Sequence, residues 1–266
     1  MMPEILLGPG IWGWALGAGA VFFRLLGFLL GFPLWNNPAV AMPIRVTFVI
    51  GSTAVLVMAL GWPWIPVESP DGLVWLAVLA PEFLLGAALG LLVRVVLAAA
   101  EGMAQMMSMA IGLGFATFVD PGTGSNSSAI GRLVATAATL LFVAADFHLP
   151  VLRAFFDTFV LLPVGSPIPV DAMGLEVAGL GSLFFHLSLR LAAPVLATGL
   201  MIYLILAVIS RVAPQMNLFA IGFAVIIPSG ILVLFWEVPD LLMVFANYFE
   251  AMPSMIRSLV TTGRWT

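Results

Sequence analysis

Residues 177–209 read VAGLGSLFFHLSLRLAAPVLATGLMIYLILAVI, an apolar run interrupted by one arginine and one histidine, with no acidic side chain. A bilayer core is spanned by roughly 20 helical residues. As one α-helix this run would reach roughly 50 Å, at about 1.5 Å per residue. It is therefore a helix that either projects beyond lipid or breaks. Five further apolar stretches flank it, at about 5–34, 44–62, 73–100, 129–162 and 218–249. Only 44–62 has the length of one plain span. Pro194 and Pro228 lie inside two of the runs, where each removes a backbone hydrogen bond and is expected to bend or split its helix. The fold class that follows is an all-α membrane protein built from long bent helices and helical hairpins, in a single membrane domain over 1–266.

The composition agrees. Of 266 residues, 62% are hydrophobic and 8% charged, against about 25% charged in a soluble domain. The net charge is −4 and there is no lysine, which argues against nucleic acid, since phosphate binding needs clustered cations. The absence of cysteine excludes disulfides, iron–sulfur clusters and thiol catalysis. His148 and His186 are isolated, and no metal-binding or phosphate-binding spacing occurs in the sequence. No cofactor and no enzymatic activity are expected.

Charges nevertheless fall within or beside the apolar runs: Arg24, Glu82, Arg94, Arg132, Asp146, Arg190 and Glu237. An arginine at the bilayer centre costs about 2.5–3.5 kcal/mol on insertion scales. These seven residues are candidates for inter-subunit ion pairs or a hydrophilic pathway; helices running past the lipid would instead leave them at ordinary interfaces. Gly13/Gly17, Gly27/Gly31 and Gly86/Gly90 form G-x-x-x-G pairs, which let helix backbones approach closely within a chain or between chains. Met103, Met106, Met107 and Met109 cluster. Flexible thioethers adapt to irregular shapes, so these residues are candidates for lining a deformable constriction, with core packing as the alternative.

The segment Gly112-Leu-Gly-Phe-Ala-Thr-Phe-Val-Asp-Pro-Gly122 joins an apolar helix to the polar run DPGTGSNSS at 120–128. Gly112 and Gly114 weaken helix, while Asp120-Pro121 favours a turn. Such a segment, with Phe115, Ala116, Thr117, Phe118 and Val119 between, can plug a pore and move aside; an ordinary loop is the competing reading.

Two runs carry a family resemblance. FATFVDPG at 115–122 resembles the loop of the flagellar export-gate family FliR. Residues 211–222, RVAPQMNLFAIG, resemble that family's R-x-x-P-Q-x-N-x-F-x-x-G signature through Arg211, Pro214, Gln215, Asn217, Phe219 and Gly222. Arg24, Pro43 with Arg45, Glu82 with Gly86 and Gly90, Phe142, His148, and Pro163 with Gly165 match in order along the chain. Ala110-Ile111 and Gly222-Phe-Ala-Val225 depart from the family's usual Gln-Met and Gly-Phe-Pro. The injectisome counterpart SctT is the nearest related group, and FATFVDPG favours the flagellar branch.

The resemblance implies a FliP-like part over about 1–175 joined to a FliQ-like part over about 176–266. It implies a structural pore-forming subunit of the type III protein-export gate, present in one copy in a ring of FliP and FliQ to which FlhB attaches. The setting would be the flagellar basal body in the bacterial inner membrane, in contact with lipid. Unfolded rod, hook and filament proteins would pass through, and Phe115–Pro121 would be the plug. A small-solute secondary transporter is a more remote alternative.

Overall fold

A computed structural model describes residues 10–32, 35, 40–66, 71–112, 129–168 and 170–262. Among the described residues the chain forms seven α-helices and no strand: α1 Gly10–Gly31, α2 Met42–Ala59, α3 Gly72–Ala110, α4 Ala129–Ala144, α5 His148–Leu161, α6 Val170–Val212 and α7 Leu218–Thr262. Five of them are long and apolar enough to cross a membrane, or six spans if the bent pair α4–α5 counts as one. The chain is a helical membrane protein. At 43 and 45 residues, α6 and α7 would extend about 65 Å each, roughly twice the ~30 Å hydrocarbon core.

Pro194 and Pro228 do not split their helices: α6 and α7 run on without interruption past both. Of the two expected effects, bending or splitting, the splitting does not occur. Proline is tolerated in helices of apolar surroundings, where exposing several backbone groups costs more than the one bond it removes. The break falls instead inside 129–162, where α4 and α5 meet at 70°. Asp146 adopts φ 57° there, a left-handed conformation that Asp accepts more readily than most residues. Pro150, in the first turn of α5, removes a donor that had no intrahelical acceptor.

The chain divides into two compact units. Unit 1 comprises residues 1–94, 148–180 and 251–266; unit 2 comprises 95–147 and 181–250. In unit 1, Leu16, Ala20 and Phe28 of α1, Leu85, Leu89 and Val93 of α3, and Val151, Ala154 and Phe155 of α5 are buried. Phe28 stacks on Phe155 with ring centroids 4.1 Å apart. In unit 2, Ala99, Met103 and Met107 of α3, Phe142 of α4, Leu187 and Val195 of α6, and Phe245 and Phe249 of α7 are buried. Much apolar surface stays open: only 17% of the most apolar window of α2, of α6 and of α7 is buried.

Candidate functional site

Unit 1 is organised around an ion pair with no exposure. Arg24 of α1 donates through Nε to Glu82 Oε2 of α3 at 2.6 Å, and the two side chains are 0% and 1% exposed. Arg24 Nη1 also donates to the carbonyls of Thr158 at 3.1 Å and Leu162 at 3.0 Å. These lie in the last turn of α5 and just beyond it, where the helix dipole favours a cation; Thr158 O also accepts from Leu162 N–H at 2.9 Å. Glu82 Oε1 accepts from Gly165 N–H at 3.0 Å, at a position of φ +80° that suits glycine. The Phe159 ring lies 4.6 Å from Arg24 Cζ, presenting its electron-rich face. One pair thus ties together α1, α3, the end of α5 and the 162–165 turn.

The backbones at this point nearly touch. A Cβ on Gly86 would clash with Arg24 O and sit 2.8 Å from its carbonyl carbon; one on Gly27 would lie 2.7 Å from Ala87 N. Gly31 faces Gly90, and Gly90 faces the Phe28 carbonyl, at similar range. The glycine pairs of α1 and α3 are therefore each other's partners within the chain. Gly13 and Gly17 face Pro63–Ile65 instead.

The expectation that Arg24 and Glu82 face neighbouring subunits is overturned: they pair with each other inside the chain and both side chains are buried, while Arg24 Nη2 is buried without an acceptor among the described residues. Both carboxylate oxygens of Glu82 are engaged, which suits a clamp. Arg94, Arg132, Asp146 and Arg190 are exposed and Glu237 is partly exposed. Arg257 and Asp157 form a second pair at 2.8 Å, half exposed.

The methionine cluster divides. Met103 and Met107 are 0% and 1% exposed, so they are packed core rather than constriction lining; their spacing puts them on the buried face of α3. Met106 is half buried and Met109 exposed. Of the expected plug residues, Gly112 is described, whereas Gly114, Phe115, Ala116, Thr117, Phe118, Val119, Asp120 and Pro121 lie outside the described residues.

Where that segment leaves α3, unit 2 is tightly seated. Gly112 takes φ +81°, and a Cβ there would lie 2.7 Å from the Phe223 ring. Gly199 of α6 approaches the Ala110 carbonyl, and Gly230 of α7 abuts the Ile111 side chain. Ser188 Oγ donates to Ala99 O at 3.1 Å. One departure from the family pattern, Ala110-Ile111, thus lies at the root of the segment, against Gly199 and Gly230.

The 211–222 signature forms the turn of the α6–α7 hairpin. Met216 N–H donates to Ala213 O at 3.2 Å, and Asn217 caps α7 by accepting from Ala220 N–H at 3.3 Å. Pro214 and Gln215 are exposed in the turn and Arg211 is exposed in the last turn of α6, while Gly222 is buried. The side chain of Phe219 lies outside the described residues.

A model of the family described as "Bacterial export proteins, family 1" matches residues 16–252. The flagellar biosynthetic protein FliR of Pectobacterium carotovorum subsp. carotovorum is 32% identical over 213 residues, 80% of each chain. That of Escherichia coli (strain K12) is 32% identical over 209 residues, 78% of each. The chain belongs to the FliR family of flagellar export proteins. The FliR of Bacillus subtilis (strain 168) is 24% identical over 243 residues, 90% of this chain and 93% of that one. Three positions that carry the FliR resemblance at a distance in sequence, Arg24, Glu82 and Gly165, converge on one buried clamp. Sequence reasoning missed Thr158, Phe159 and Leu162, which join that clamp through backbone carbonyls and a ring face. No residue-type signal marks a carbonyl as a partner.

Proposed function

We propose that this chain is a structural, non-catalytic subunit of the flagellar type III export gate. In this reading one copy completes a ring of FliP and FliQ, with FlhB attached, in the bacterial inner membrane at the basal body. Residues 1–175 and 176–266 are then its FliP-like and FliQ-like parts, the latter being chiefly the α6–α7 hairpin. Unfolded rod, hook and filament proteins pass the assembled pore, and Phe115–Pro121 acts as the plug.

The observation that carries this reading is the surface of α6 and α7. Both helices are about twice as long as a bilayer core needs, and 17% of the most apolar window of each is buried. Arg190 stands exposed on α6, and Glu237 is partly so on α7. Lipid alone covers such a surface poorly, whereas neighbouring helices with matching polar groups cover it well. Affinity purification of the tagged chain from native membranes should bring FliP and FliQ with it; recovery of a folded, stable monomer would end the proposal. For the plug, deletion of residues 115–121 should leave the complex assembled while the membrane leaks small ions. Unchanged ion permeability would remove that role.

A further inference from the structure

Unit 1 carries an apolar groove of about 240 Å³ between α3 and the start of α6, lined by Leu84, Ala87, Ala88, Leu91, Met173 and Val177 among others. It opens to the surface at Leu84, 49% exposed, and at Gly174. The small side chains Ala87, Ala88 and Gly174 leave the space. Water is a poor occupant: a cavity needs polar partners to hold it, and apolar cavities of comparable size stay dry yet accept apolar guests.

The α3 wall leads to a cation. Ala87, Leu91 and Arg94 follow one another at i, i+4 and i+7, a single face of a helix. Helical side chains lean toward the N-terminus, which directs Arg94 back over the groove. Arg94 is exposed and has no hydrogen-bond or ion-pair partner among the described residues. Its guanidinium presents the planar donor fork that matches phosphate. An apolar slot with an unpaired arginine about one helical turn beyond its Leu91 wall, in a chain built to meet lipid, has the two halves of an amphiphile's complement.

We propose that this face binds an anionic phospholipid, with one acyl chain in the groove and the phosphate on Arg94. The site rests on the membrane character of the chain and not on the export-gate reading, so either can fail alone.

The test uses the full chain, extracted with whatever complex holds it, and native mass spectrometry with added dioleoyl phosphatidylglycerol or dioleoyl phosphatidylcholine. Phosphatidylglycerol should bind about tenfold more tightly. Arg94→Gln should erase that preference while leaving binding of the zwitterionic lipid unchanged. Gly174→Leu should weaken both lipids about tenfold without lowering the melting temperature, because a Cβ at Gly174 meets no atom within 4 Å. A preference that survives Arg94→Gln, or lipid binding indifferent to Gly174→Leu, overturns the site. So does a photo-crosslinker at Leu175, 78% exposed, that captures a protein helix in native membranes rather than lipid.

Discussion

Glu82→Gln isolates the charge of the clamp from its shape. The amide is nearly isosteric, so no cavity opens, and its oxygen can still accept from Gly165 N–H. What disappears is the carboxylate 2.6 Å from Arg24, at a site where both side chains are buried. Arg24 then keeps two neutral carbonyls and the Phe159 ring as its only company. Removing one partner of a buried pair costs about 3–5 kcal/mol, because the other charge is left uncompensated. Against a typical total of about 5–15 kcal/mol, that is a large fraction. Unfolding of the detergent-solubilised complex, followed by denaturant titration, reads the loss directly. Arg24→Gln should cost a similar amount, and the double variant should cost less than the sum, with a coupling at the upper end of about 0.5–3 kcal/mol. A Glu82→Gln protein within about 0.5 kcal/mol of wild type, or strictly additive single variants, would refute the clamp.

Two further outcomes follow from the packing. Gly86→Ala should destabilise the chain clearly, since its Cβ meets the Arg24 backbone, whereas Gly51→Ala on α2, where a Cβ meets nothing within 4 Å, should stabilise by about 0.5–1 kcal/mol through helix propensity; paired thermal melts distinguish them. Gly230→Ala should collide with Ile111, lowering the melting temperature, and Ile111→Ala should restore much of the loss in the double variant, an exchange that additive melting shifts would rule out.

Much of the architecture was legible in the sequence. The apolar runs located every long helix because an unbroken stretch beyond 20 apolar residues has few stable alternatives in lipid. Their ends were read less well: α3 continues to Ala110, ten residues past the apolar run, since Glu101 and Gln105 are good helix formers even though they lower hydropathy. The prolines do not split their helices, because a local cost of about 3 kcal/mol is offset by the hydrogen bonds a continuous helix keeps. The 144–148 break carried no such conspicuous mark; Asp146 and Pro150 became meaningful only together.

The sequence by itself determined that this is a helical membrane protein of the export family. Apolar length, charge scarcity and two long motifs are properties of the chain in order, and they need no knowledge of which helix meets which. Tertiary structure alone decided that Arg24 and Glu82 face one another, that the α1 and α3 glycines are mutual partners, and that two of the four methionines are core. A side chain's burial is fixed by residues distant in the chain (Glu82 is 58 positions from Arg24, and the carbonyls Arg24 holds are 134 and 138 positions away), and no local pattern encodes a contact made across that separation.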